Sequence, residues 1–202
     1  MNNSDLESAI SGGADAVGFI VEITGSRHKI SAEAARDLIT KVPVFIKSVA
    51  VIAPNSVDEA AALAHETRAD LLQILGPLGM KDIAALKARV SQKIIAAVPA
   101  GSNNINNIRS MSMAADAVLL DTFKDGKLGG TGATHDWNMS ASISRDLKVP
   151  VILAGGLNPA NVAEAIKIVR PYAVDVSSGV ETEGRKDFQK VAAFVKEVRS
   201  CL

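Results

Sequence analysis

The sequence predicts an α/β fold, a (β/α)8 barrel of the TIM type with seven of its strands in this chain. Three observations predict it. Short apolar, β-branched runs recur at Ala16–Val21, Val44–Ile52, Asp70–Leu75, Lys93–Val98, Ala117–Asp121, Pro150–Ala154 and Ala173–Ser177. Their starts are spaced by roughly 23 to 33 residues, the size of one βα unit. Helical stretches fill the gaps, and strict strand–helix alternation implies a parallel sheet. The polar and glycine-rich segments Glu22–Ile30, Gly76–Gly79, Thr122–Asp136, Gly155–Asn158 and Ser178–Asp187 all follow strands. Functional loops at many strand ends suit a barrel better than an open doubly wound sheet, which concentrates its site at one switch point.

Several of the helical stretches carry start signals. Ser4-Asp5-Leu6-Glu7 reads as a capping box and Gly12-Gly13 as the matching stop, so the first element is a short capped helix. Ser31 opens an Ala-rich helix through Lys41 with apolar residues at helical spacing. Ser56-Val57-Asp58-Glu59 is a second capping box, Asn158-Pro159 places a cap before Pro, and Trp137 packs at a helix start. A barrel needs eight strands, and the helix at Ser4 has none before it. The expectation is one domain over residues 1–202, a barrel lacking its first strand.

Composition narrows the function classes. Hydrophobic residues make up 48% with aromatics at only 3%, a mix suited to buried parallel strands under covering helices. The 22 basic residues balance 22 acidic ones, so neither a nucleic-acid nor a membrane partner is expected. No apolar stretch approaches the ~20 residues that cross a bilayer, and no signal pattern opens the chain. The single cysteine, Cys201, supports no disulfide framework, and His28, His65 and His135 share no metal-ligand spacing. The expectation is a cytoplasmic protein without metal or cofactor, a monomer or a homodimer.

Four stretches carry chemistry. In "VILAGGLNPANV", residues 151–162, Gly155 and Gly156 let backbone N–H groups approach an anion, and a helix N-terminus follows. "VDVSSGVE", residues 174–181, repeats the device with Ser178 and Gly179, and the last two loops of such barrels form the usual phosphate clamp. In "AVLLDTFKDGKLGGTGATHDW", residues 117–137, Asp121 ends a strand at the barrel mouth. Partial desolvation there would raise its pKa toward values useful for a general acid, although a loop-bracing carboxylate fits the same position. Gly129, Gly130 and Gly132 suit a lid loop, or merely a long connector. Arg27, in "TGSRHKIS", is placed either to pair with a substrate carboxylate or to sit solvated. Asp175 alternates with Val174 and Val176, which puts it on the opposite face with Ser177, paired or functional.

Taken in order, "GADAVGFI", "SRHKIS", "LLQILG", "VLLDT", "GGTGATHDW", "LAGGLNPANV" and "VDVSSGVE" resemble the phosphoribosylanthranilate isomerase family over nearly the whole chain. The resemblance implies an isomerase of tryptophan biosynthesis, acting on a small phosphorylated substrate without cofactor. Its reaction is an Amadori rearrangement of N-(5-phosphoribosyl)anthranilate to 1-(o-carboxyphenylamino)-1-deoxyribulose 5-phosphate. By the same resemblance Asp121 is the acid, Arg27 lies near the anthranilate carboxylate, and Gly155, Gly156, Ser178 and Gly179 bind phosphate.

The chain departs from the family pattern in three places. Leu75 stands where the family has a histidine, in Q-I-L-G for Q-L-H-G, and His135 replaces the aromatic usual before Asp136-Trp137. The family's opening K-I-C-G-I strand, whose cysteine is the general base, has no counterpart among these residues. A misassigned start, a truncated product, or a phosphate-ligand-binding barrel without turnover would each account for that.

Overall fold

The computed structural model describes residues 1–201 except 102–103, 125–126 and 129–133. The described elements run α1 (Asn3–Ser11), β1 (Ala16–Ile20), α2 (Ala32–Ile39), β2 (Lys47–Ile52), α3 (Val57–Thr67), β3 (Leu71–Ile74), α4 (Met80–Lys87), β4 (Lys93–Pro99), α5 (Ile105–Ser112) and β5 (Ala117–Asp121). A small antiparallel pair, β6 (Phe123–Lys124) and β7 (Lys127–Leu128), follows. Then come α6 (Trp137–Asp146), β8 (Val151–Leu153), α7 (Val162–Val169), β9 (Ala173–Val174), a hairpin of β10 (Glu181–Thr182) and β11 (Arg185–Lys186), and α8 (Phe188–Arg199).

Seven parallel strands form one sheet in the order β1-β2-β3-β4-β5-β8-β9. All seven expected strands are present, and alternation sorts their side chains into two layers. Phe19, Ile52, Leu72, Ile94 and Leu120 point outward against Ala35, Ala60, Ile83, Leu86 and Ile108 of the helices, all almost completely buried. Val49, Ile95, Ala97, Leu119 and Ala154 pack inside the curl of the sheet. Each large outer side chain contributes roughly 1.5–3 kcal/mol by leaving water. Both faces are therefore apolar, as in Lys93–Pro99, where five consecutive residues are buried.

Among the described residues β1 and β9 are the two ends of the sheet, each with one strand partner. Helices span the seam instead. Gly12 lies so close to Val191 of α8 that a Cβ would overlap that side chain, and Arg199 donates to the Gly13 carbonyl at 3.1 Å.

Four local expectations need correction. The cap of α1 is Asn2, not Ser4: Asn2 Oδ1 accepts from the Asp5 N–H at 3.0 Å, and Asp5 Oδ2 accepts from the Asn2 N–H at 3.1 Å. Asp5 Oδ1 also takes Arg185 Nε and the Lys186 N–H, both at 3.1 Å, so a tertiary contact favours the earlier start. The second strand begins at Lys47, because Val44 and Phe45 sit in a turn closed by the Ile46 N–H on the Pro43 carbonyl and lie exposed. Asn158 caps a turn through the Ala160 N–H, and α7 itself starts one turn later, behind Asn161. The last ladder stops at Val174 rather than Ser177, although the Asp175 N–H still donates to Leu153 at 2.8 Å.

Candidate active site

Parallel strands all end on the same rim of the sheet, so the loops after β1, β5, β8 and β9 gather the expected residues there. Asp121 is the last residue of β5, and register carries its row across Ala154 to Asp175 on the neighbouring strands. Val174 and Val176 pack outward against α7 and α8, leaving Asp175 facing inward as alternation expects.

The carboxyl of Asp121 is pushed up to about 6, chiefly by its removal from water. A hydrogen bond from the Thr122 N–H at 2.7 Å pulls the other way, and the like charge of Asp175 adds to the rise. Asp175 is ringed by protein yet still open to water in the mouth. The ring raises its pKa and Lys186 opposes the rise, while the opening tempers both effects.

Beside the acid lies a backbone cradle. Gly155 and Gly156 both take left-handed φ, +87° and +68°, a conformation that side chains disfavour. Gly155 is flush against Thr122, so a Cβ there would overlap the Thr122 backbone nitrogen and hydroxyl. Gly179 is pressed on the Leu157 carbonyl in the same way, which joins the two glycine loops. The Gly156 carbonyl is turned aside by the Asn161 amide at 3.0 Å. Among the described residues no acceptor takes the N–H groups of Gly155, Gly156, Ser178 or Gly179. Such a nest of free donors suits a phosphate.

Arg27 sits on the same rim but is committed elsewhere. Its guanidinium donates to Glu181 Oε2 at 2.8 Å, and its side chain is 64% exposed. Glu181 also holds Lys186 at 2.8 Å and lies 3.2 Å from His28 Nε2. No hydrogen bond or ion pair joins Arg27 to Asp121 among the described residues. Gly129, Gly130 and Gly132 lie outside the described residues.

Sequence reasoning missed four residues that shape this rim: Thr122, His135, Glu181 and Lys186. Thr122 and Glu181 fall within the quoted motifs, but nothing local marks them. The signal for His135 was its place where an aromatic is usual.

A desolvated carboxyl beside two close-packed glycine loops, on the strand-end rim of a parallel α/β barrel sheet, is an arrangement suited to a barrel enzyme of the acid–base class. The family model for N-(5'-phosphoribosyl)anthranilate isomerase matches residues 1–197, and the chain belongs to that family. A curated isomerase of that name from Methanothrix thermoacetophila is 53% identical over 201 residues, covering 100% of this chain and 95% of the relative. The crystal structure of phosphoribosyl anthranilate isomerase from Thermotoga maritima aligns at a TM-score of 0.87 with 30% identity, over 99% of this chain and 95% of that one. A further isomerase structure, in complex with reduced 1-(o-carboxyphenylamino)-1-deoxyribulose 5-phosphate, aligns at 0.80 with 30% identity over 98% and 94%.

Proposed function

We propose that this chain catalyses the Amadori rearrangement of N-(5-phosphoribosyl)anthranilate to 1-(o-carboxyphenylamino)-1-deoxyribulose 5-phosphate, with Asp121 as the general acid. The observation that carries the residue assignment is the Asp121 carboxyl, held at about 6 beside the glycine cradle. A carboxyl with that pKa keeps a useful protonated fraction near neutral pH.

The substrate phosphate binds the N–H groups of Gly155, Gly156, Ser178 and Gly179, which fixes the sugar against the end of β5. Asp121 gives its proton to the furanose ring oxygen as the bond from that oxygen to C1 breaks. The nitrogen lone pair forms the Schiff base, leaving Asp121 as carboxylate. Loss of the C2 proton to a base gives the enol-amine, and tautomerisation gives the aminoketose. Asp175, two strands along the sheet, keeps the site negative and so favours the protonated form of Asp121. Arg27 serves the anthranilate carboxylate only on release from Glu181.

The residue that takes the C2 proton is a cysteine in the family pattern. The sequence has one cysteine, Cys201, whose Sγ donates to the Glu197 carbonyl at 3.4 Å just beyond α8. A second reading is ligand binding without turnover. Its ligand is the same small phosphate ester, held by one domain over residues 1–202 as a monomer or a homodimer.

Turnover assays of the chain alone and of the chain preceded by a K-I-C-G-I strand separate the readings. The expected result is isomerisation by the extended chain, reduced about 10²–10⁴-fold by Asp121→Asn. An unaffected Asp121→Asn variant would remove the acid assignment. Ordinary rates from the chain alone would show that no cysteine base is needed.

A further inference from the structure

His135 stands where the family has an aromatic, and both of its ring nitrogens are engaged. Nδ1 lies 3.0 Å from Thr122 Oγ1 and Nε2 lies 2.6 Å from Ser140 Oγ. Ser140 is completely buried in α6, and Thr122 is 5% exposed. Thr122 is the junction of the rim: its N–H holds the Asp121 carboxylate at 2.7 Å, and its body is packed flush on Gly155. The imidazole therefore ties the residue between acid and phosphate cradle to the first turns of a rigid helix. A phenyl ring at this position could fill the space but could make neither bond.

We propose that His135 is a positioning residue that bridges Thr122 and Ser140 and thereby holds the Thr122 N–H on the Asp121 carboxyl. The proposal rests on the reading of Asp121 as the site acid, but its geometry can be measured without turnover. In the neutral imidazole one ring nitrogen donates and the other accepts, and each hydroxyl can take the complementary part. Burial lowers the His135 pKa and so favours that state, against the opposing pull of Asp136. The charged group that faces Asp121 is Asp175, and Lys186 in turn faces Asp175.

Carboxyl ¹³C NMR titration of the full 202-residue chain, labelled at Asp, tests this directly, with the Asp121 signal assigned by its loss in Asp121→Asn. The wild-type midpoint is expected near 6. His135→Phe should let the Thr122 peptide drift and raise that midpoint by about one pH unit, the loss of an N–H bond that favours the charged form. His135→Gln keeps a donor and an acceptor and should restore most of the difference. Ser140→Ala, which removes only the far anchor, should raise the midpoint in the same direction and let the His135 imidazole titrate at a higher pH. The variant guards against a His135→Phe chain that does not fold. An Asp121 midpoint unmoved in folded His135→Phe, or in Ser140→Ala, would overturn the proposal. Isomerase assays report separately on the acid role, so loss of that role and failure of the bridge give different results.

Discussion

Two carboxylates on the same rim, Asp121 and Glu181, have their pKa values pushed in opposite directions. Around Asp121 the chain packs backbone on backbone, with Gly155 against Thr122 and Gly179 against Leu157, and the nearest charged group is another carboxylate. Desolvation dominates there and the pKa rises. Glu181 is also desolvated, with its side chain 4% exposed, but Lys186, His28 and Arg27 surround it and its pKa falls. Burial alone does not set protonation; the partners do. The rim thus has a proton-storing half, where a carboxyl pKa is raised, and a charged half, where one is lowered. The second half lies at the seam, where Asp5 of α1 takes Arg185 and Lys186 from the β10–β11 hairpin.

The largest test of this division is Glu181→Gln. The change leaves Lys186, whose side chain is only 15% exposed, with a neutral partner, and it weakens the contacts of Arg27 and His28 with the hairpin. Breaking a well-buried pair costs about 3–5 kcal/mol, and the exposure of Arg27 reduces the expectation to about 2–3 kcal/mol at pH 7. The folded pKa of Glu181 lies below its ordinary 4.5. Its stabilisation is complete above pH 4.5 and is lost as pH falls through the folded pKa. Urea melts of Glu181→Gln should therefore show reduced stability at pH 7 and a gap from wild type that closes in acid. A gap that stays constant down to pH 3 would mean that shape, not charge, holds the seam.

How much of this was legible in the sequence follows the same division. The proton-storing half is local: strand ends, paired glycines and an Asp at the close of an apolar run are features of neighbouring residues, and each was read. The charged half is not. Arg27 and Glu181 are 154 residues apart in the chain, and no periodicity links them. The sequence leaves Arg27 either a ligand for a substrate carboxylate or a solvated charge, because a protein carboxylate waiting for it leaves no local trace. The cap at Asn2 was missed for the same reason, since its Asp5 is fixed by Arg185. Val44 and Phe45 misled in the other direction: apolar composition suggested strand, and Pro43 made a turn.

Gly179→Ala should sharpen the packing half. A methyl group there meets the Leu157 carbonyl, which is backbone and cannot step aside by changing rotamer. One of the two glycine loops must move, at a cost of about 1–3 kcal/mol in stability. The N–H groups of Gly155, Gly156, Ser178 and Gly179 would no longer point to one place, so inorganic phosphate affinity should fall by more than the stability loss alone explains. Calorimetric titration with inorganic phosphate measures it. Unchanged affinity in a destabilised variant would place the phosphate elsewhere on the rim.

The smallest expected effect, and the most diagnostic, is the stability of Asp121→Asn. A raised carboxyl pKa means that the folded state binds the proton more tightly than the unfolded chain does. Between the ordinary value of 3.8 and about 6, wild-type stability should therefore decline as pH rises, and above about 6 the ionised group is a standing cost. Asparagine keeps an oxygen for the Thr122 N–H but has no charge to bury, so the variant should be more stable than wild type by about 1–2 kcal/mol at pH 7. Below pH 4, where the wild-type carboxyl is protonated in both states, that difference should vanish. The pH course is the mirror image of the one for Glu181→Gln, in which the variant is the weaker protein at neutral pH. A residue whose removal stabilises the fold is poorly explained as a structural brace. An Asp121→Asn chain less stable than wild type at pH 7 would return Asp121 to a bracing role and remove the contrast between the two halves of the rim.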